Sequence, residues 1–208
     1  MLDSALAQNL ESRIENLELQ KYISVIRGDV LKILDSKFQI LNSYKLVGNI
    51  PYYITGHLLR VVGELEKKPE LCVFTIQKEV AERIVAEPPQ MNRLAASVQF
   101  WAEPKIIAYI SRRDFSPPPE VDSAIIKLET RDTRHEARMS VDKYYGTVRT
   151  LFAQPRKTIL SNLSAENRAV RTEKEKIAGR LRGIGIDPLG RPQDLSIEDI
   201  KKISALAP

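Results

Sequence analysis

The chain has 208 residues, 43% of them hydrophobic and 28% charged, with one cysteine and a formal net charge of +5, which allows one sizeable core and a small second domain. No segment approaches the roughly 18 uncharged apolar residues of a membrane span, and MLDSALAQNLESRIENLEL lacks the basic, apolar and small-residue sections of a signal peptide. The lone Cys72 excludes a disulfide framework and a zinc site, reads as an inert buried thiol, and points to a reducing, cytoplasmic setting.

In chain order, Leu6, Leu10, Ile14 and Leu17 recur at helical spacing and predict an amphipathic helix over 3–19. YISVIRGD then predicts a short strand ending at Gly28–Asp29, and KLVGNIP a second strand and turn. A helix over 53–66 follows, its apolar face made by Leu58, Leu59, Val61, Val62 and Leu65. LCVFTIQ is apolar throughout, as in a strand of a sheet covered on both sides. Helices over 78–86 and 92–102 flank the breaker Pro88–Pro89, and QKEVAERI within the first is a charged helix with ion pairs at helical spacing. KIIAYI and SAIIKLE, joined by a proline-rich loop, predict an antiparallel pair at the sheet edge. Strands alternating with helices indicate an α/β layer architecture. After Thr130 the pattern changes: RDTRHEAR reads as a linker, and 141–154, 157–163, 173–182 and 196–206 are all helical in period, the last opening on a capping-box-like Ser196 and Asp199. The expected domains are therefore 1–130 and a small all-helical 131–208.

Charge follows the same division. Residues 131–182 hold 13 Lys/Arg and 6 Asp/Glu, a net of +7, while the other residues hold 19 and 21. A basic appendage on a neutral-to-acidic body fits a polyanion-binding protein as well as a merely solvated helical surface.

The segment GNIPYYIT, residues 48–55, carries the most specific chemistry. A primary aromatic amine such as that of adenine is a poor nucleophile, because its lone pair is delocalised into the ring. A site that accepts both of its N–H bonds, one on an amide oxygen and one on a backbone carbonyl, favours a pyramidal nitrogen whose lone pair faces a methyl donor. Asn49 offers the amide oxygen; Ile50 and Pro51 offer carbonyls on a backbone stiffened at Pro51. Tyr52 offers a stacking face worth about 1–3 kcal/mol. An ordinary turn uses the same residue types, so the segment alone leaves both readings open. In DFSPPPEVDS, three prolines hold Phe115 on a stiff loop before an apolar strand, either as the second wall of a base slot or as a rigid edge connection. Asp29 ends its predicted strand, where such folds bind ligands, and is equally a good helix N-cap. His57 and His135 have no catalytic partner nearby in sequence and read as structural or exposed. Arg156 and Lys157 open a helix in QPRKTILSNL, where they suit phosphate contact or solubility.

GNIPYYIT, IQKEVAERIVA, DFSPPPEVDSAIIKL, QPRKTILSNL and GIDPLGRPQDLS, in that order and spacing over residues 2–206, resemble the ribosomal RNA adenine dimethyltransferase family (KsgA type). The related antibiotic-resistance methyltransferases share the first motifs; IDPLGRPQDLS is more similar to the small-subunit housekeeping branch. The resemblance implies a Rossmann-like α/β methyltransferase sheet followed by the helical domain, with S-adenosylmethionine as cofactor. Its implied substrate is two adjacent adenosines in a hairpin near the 3′ end of small-subunit rRNA, in the free RNA or a pre-30S-like particle. It further implies that Asn49 and the Ile50–Pro51 backbone hold the target amine, that Tyr52 and Phe115 sandwich the extruded base, that Asp29 meets the donor's adenine with Asn49 also at the donor, and that the basic tail with Arg156 and Lys157 grips the rRNA backbone. A cytoplasmic monomer with no membrane association and no metal site is expected.

The family's Gly-rich donor loop has no counterpart in this sequence, and its ribose-binding acid falls at Met1. An N-terminally truncated member is therefore expected, with weak or absent donor binding and marginal stability. Two alternatives stand beside the enzyme: a non-catalytic RNA-binding or ribosome-assembly factor, and a DNA adenine methyltransferase, against which the extensive match outside the turn argues.

Overall fold

The computed structural model describes residues 4–37, 43–131, 141–166 and 171–206; most of the expected linker, with His135, lies outside them. The chain falls into two compact units, Met1–Asn42 and Ser43–Pro208.

The first unit holds helices α1 (Ser4–Asn16) and α2 (Val30–Lys37). α1 closes at Glu18, which takes the left-handed conformation (φ 55°) while Leu19 N–H bonds back to Ile14 at 3.1 Å, a helix stop that glycine more often supplies. The strand expected in YISVIRGD does not form. A strand exists only as part of a ladder, and no described segment pairs with these residues; Tyr22, Ile23 and Ile26 are exposed.

The second unit is built on a four-stranded sheet of order β1-β2-β4-β3. Its strands are β1 (Lys45–Asn49), β2 (Leu71–Gln77), β3 (Ala102–Ile110) and β4 (Ser123–Thr130). β1 runs parallel to β2, β4 runs antiparallel to both β2 and β3, and β3 forms an edge, as the proline loop between KIIAYI and SAIIKLE implied. An edge strand tolerates Pro104, whose missing N–H is not needed there. The continuous apolar run of β2 is fully buried on one face only: Cys72, Phe74 and Ile76 face inward with Ala124, Ile126 and Leu128 of β4, while the alternate residues of β2 are half-buried. Burial pushes the Cys72 thiol up to about 12, so it stays protonated and inert.

Helices α3 (Thr55–Glu64), α4 (Lys78–Ile84) and α5 (Arg93–Gln99) contribute Leu58, Leu59, Val62, Ala81, Ile84, Ala95 and Val98 to the core. α5 stops three residues short of its predicted end. Ala102 already pairs with Thr130, and Phe100 and Trp101 turn into the core. Buried Gln99 satisfies the end of the preceding segment, donating from Nε2 to the carbonyls of Ile84 (2.8 Å) and Ala86 (2.9 Å).

Among the described residues four tail helices follow: α6 (Val141–Leu151), α7 (Ile159–Glu166), α8 (Arg171–Gly183) and α9 (Ile197–Leu206). Their core is Tyr144, Val148, Leu151, Ile159, Leu181, Ile200 and Ile203. The expected capping box of α9 is present: Asp199 N–H donates to Ser196 Oγ (3.1 Å) and Ser196 N–H to Asp199 Oδ2 (3.2 Å). α6 packs directly on α5. The Tyr144 ring stacks on Phe100 at 3.9 Å between centroids, and its hydroxyl donates to the Ala96 carbonyl at 3.0 Å.

Gly63 marks the tightest approach beneath this junction. A Cβ there would lie 2.7 Å from Trp101 Nε1 and 2.8 Å from Tyr145 Oη, and Trp101 is buried and cannot yield. Overpacking of this kind costs about 1–3 kcal/mol, against a helix-propensity gain of at most about 1 kcal/mol. Gly63→Ala is therefore expected to lower the midpoint of urea unfolding; an unchanged or raised midpoint would show that the junction relaxes freely.

Candidate functional site

Sheet order and register decide which segments meet. β1 and β4 flank β2, and Asn49 pairs with Thr75 while Ser123 pairs with Gln77. The end of β1 and the start of β4 thus lie at the same end of the sheet, beyond the carboxyl end of β2, where open α/β sheets bind ligands.

At that end the GNIPYYIT backbone is fixed by its own hydrogen bonds. Ile50 N–H donates to the Thr75 carbonyl at 3.1 Å, which extends the β1–β2 ladder by one link. The chain then enters a 3-10 turn, Tyr52–Ile54, in which Ile54 N–H donates to the Pro51 carbonyl at 3.0 Å and Thr55 N–H to the Tyr52 carbonyl. Pro51 has φ −56°, the value its ring imposes. Of the two carbonyls offered by the sequence, Pro51's is therefore spent inside the turn. The Ile50 carbonyl accepts no hydrogen bond among the described residues, and the Asn49 side chain is exposed and makes none. Two acceptors on consecutive residues are left to a ligand.

Tyr52 is held from across the sheet. Its hydroxyl lies 2.9 Å from Ser123 Oγ, and Ser123 is fully buried. Ser123 belongs to the same loop-and-strand segment as Phe115, so one hydrogen bond ties the two motifs together over 71 residues. Asp122, beside it, closes the loop: its Oδ1 accepts from Arg112 N–H at 3.0 Å, and its carbonyl accepts from Lys78 N–H at 3.0 Å. Phe115 is half-buried on this loop with an extended backbone (φ −108°, ψ 150°). Neither Tyr52 nor Phe115 contacts another aromatic ring among the described residues. Sequence reasoning singled out Phe115 and passed over Asp122 and Ser123, whose role depends on the sheet order.

The other predicted residues stand elsewhere. Arg156 and Lys157 are exposed in the turn just before α7 rather than in its first turn. Buried Asn162 shapes that turn, accepting at Oδ1 from Gln154 N–H (3.0 Å) and donating from Nδ2 to the carbonyls of Gln154 (3.1 Å) and Thr158 (3.2 Å). The IDPLGRP segment caps α7 from outside: Ile159 N–H donates to Gly190 and Leu160 N–H to Pro188. Asp29 acts as the helix cap that was one of its two readings, its Oδ1 accepting from Leu31 N–H at 3.0 Å at the start of α2. It belongs to the first unit. His57 is exposed on α3. Among the described residues no helix is long and apolar enough to cross a membrane, and no group of His, Cys, Asp or Glu is arranged to hold a metal ion.

The Tyr52–Ser123 bond makes a prediction that needs no activity. Tyr52→Phe and Ser123→Ala should each lose about 0.5–1.5 kcal/mol of stability, and the double variant should lose less than their sum by a coupling of similar size. Strictly additive losses in urea unfolding would mean that the two hydroxyls do not interact.

Comparison with known proteins gives the following. A family model described as "Ribosomal RNA adenine dimethylase" matches residues 2–202. The ribosomal RNA small subunit methyltransferase A of Dehalococcoides mccartyi (strain CBDB1) is 40% identical over 182 residues, covering 86% of this chain and 61% of the relative. The protein of the same description from Clostridium botulinum (strain Okra / Type B1) is 36% identical over 193 residues, covering 90% and 68%. Among solved structures, a dimethyladenosine transferase from Plasmodium falciparum superposes with a TM-score of 0.81 at 23% identity, over 97% of this chain and 78% of that one. The 23S rRNA methyltransferase ErmE superposes with a TM-score of 0.69 at 22% identity, over 98% and 78%. These structural likenesses are of fold, and the fold is the Rossmann-like α/β methyltransferase one expected from the sequence. The chain spans 61% of the length of the Dehalococcoides relative.

Proposed function

This chain belongs to the ribosomal RNA adenine dimethylase family, and from that premise we propose that it methylates the exocyclic amines of two adjacent adenosines near the 3′ end of small-subunit rRNA. The observation that carries the reading is the pair of uncommitted acceptors, Asn49 Oδ1 and the Ile50 carbonyl, on a backbone locked by the Thr75 and Pro51 hydrogen bonds. An adenine amine has two N–H groups to give and needs both accepted for its lone pair to leave the ring plane. S-adenosylmethionine supplies the electrophilic methyl. The protein's share is orientation and exclusion of water, with no general base required before transfer. Tyr52, pinned by Ser123, gives the flipped base a fixed stacking face, and Phe115 on the stitched loop supplies the opposite wall. Asn49 is assigned a place next to the transferring methyl.

The exposed Arg156–Lys157 turn, held rigid by Asn162, is assigned to the rRNA backbone. The helical segment from residue 141 is read as the RNA-gripping part, and the protein as a cytoplasmic monomer acting on small-subunit rRNA or a pre-30S-like particle.

The test has two arms. Calorimetric titration with S-adenosylmethionine and transfer of labelled methyl to small-subunit rRNA should both be positive, and Asn49→Ala should cut the transfer rate by about 10²-fold or more, as loss of one preorganised polar contact does, with RNA affinity little changed. RNA binding without donor binding would favour the non-catalytic reading. Transfer unaffected by Asn49→Ala would end the assignment of that carboxamide.

A further inference from the structure

We propose that Tyr53 is a second base-stacking residue, which holds the neighbouring adenosine of the pair while the other occupies the slot beside Tyr52. The proposal rests on the rRNA reading above and concerns a residue that reading leaves unused. Tyr52 and Tyr53 are consecutive in one 3-10 turn, yet their surroundings differ. Tyr52 is half-buried, with its hydroxyl 2.9 Å from Ser123 Oγ. Tyr53 is 89% exposed, more than any other large hydrophobic side chain described. Among the described residues it makes no side-chain hydrogen bond and meets no other ring.

Single exposed aromatics are common on protein surfaces. This one differs in how firmly its backbone is set. Ile54 N–H donates to the Pro51 carbonyl at 3.0 Å, and Thr55 N–H donates to the Tyr52 carbonyl. Thr55 is buried as the first residue of α3, and Leu58 and Leu59 behind it lie in the core. The turn is thus anchored on both sides of Tyr53. It cannot roll to cover the ring without breaking the Tyr52–Ser123 bond or lifting Thr55 out of the core. A tyrosine has only two side-chain torsions to order, so stacking on it costs little conformational entropy.

The position decides which base is held. Tyr52 and Phe115 are both occupied by the extruded adenine, which leaves Tyr53 for its neighbour. Consecutive Cα atoms lie about 3.8 Å apart, close to the roughly 3.4 Å step between bases along a strand. Extruding one adenine strips its neighbour of a stacking partner, which is part of what flipping costs. The Tyr53 ring replaces that partner without reading the base edge, since every base has a π-face. Two tyrosines in sequence thereby hold two adenosines in sequence, and the site selects an adjacent pair over a lone adenosine.

The test measures dissociation constants by fluorescence anisotropy, at fixed salt, for an RNA hairpin with two adjacent loop adenosines. Two further hairpins carry an abasic residue in place of one or the other adenosine. Tyr53→Ala should weaken binding of the intact hairpin by about five-fold or more, whereas Tyr53→Phe should bind like the unaltered protein. Melting temperatures should be equal, because Tyr53 is exposed. The Tyr53→Ala loss should vanish on one of the abasic hairpins, in which the neighbour has no base to stack. Equal losses on all three hairpins, a loss shared by Tyr53→Phe, or no loss on the intact hairpin would overturn the role of Tyr53 while the rRNA reading stands. If the unaltered protein binds the intact hairpin no better than one with both adenosines abasic, the adenosine reading fails and this assignment falls with it.

Discussion

The geometry of the site depends on one hydrogen bond, that between the Tyr52 and Ser123 hydroxyls. It joins two segments that the chain separates widely and the sheet brings together, because β1 runs parallel and β4 antiparallel to the β2 strand between them. A parallel strand delivers its end, and an antiparallel strand its beginning, to the same end of the sheet. The backbone bond from Ile50 to Thr75 and the turn bond from Ile54 to Pro51 then leave the Asn49 carboxamide and the Ile50 carbonyl as the acceptors still uncommitted. Removing the hydroxyl bond leaves the acceptors in place but unties the aromatic face that would present a base to them.

The same logic governs the tail. Arg156 and Lys157 are exposed, yet their turn is not loose: buried Asn162 satisfies both ends of it, and the Pro188 and Gly190 carbonyls cap the helix that follows. Two stretches that are prominent in the sequence, QPRKTILSNL and IDPLGRP, are thereby one structural unit. The tail is also coupled to the sheet layer, through the Tyr144 stack on Phe100 and the close approach of Trp101 and Tyr145 to Gly63. Body and tail are consequently held in one frame.

Local features were legible in the sequence, and features that depend on partners were not. The helical period of α3 and α9, the Ser196–Asp199 cap and the antiparallel pairing of β3 with β4 follow from neighbouring residues, and each is present. YISVIRGD has the composition of a strand, yet composition cannot supply the ladder partner that a strand needs. α5 ended early because tertiary burial of Phe100 and Trp101 overrode its helical period. Asn49, Tyr52 and Phe115 were marked out by unusual chemistry in short motifs. Ser123 and Asn162 are ordinary residues whose importance arises only from what the fold sets opposite them.

The central claim is that two acceptors at the end of β1 receive the two hydrogens of an adenine amine. Nuclear magnetic resonance of protein labelled at the Asn49 side-chain amide and the Ile50 carbonyl carbon tests it directly, by titration with an adenosine-bearing RNA hairpin and then with the same hairpin carrying N6,N6-dimethyladenosine. Both labels should shift with the first RNA and stay near their free positions with the second, which binds but has no amine hydrogens to give. Equal shifts with both RNAs, or none with either while binding persists, would contradict the account.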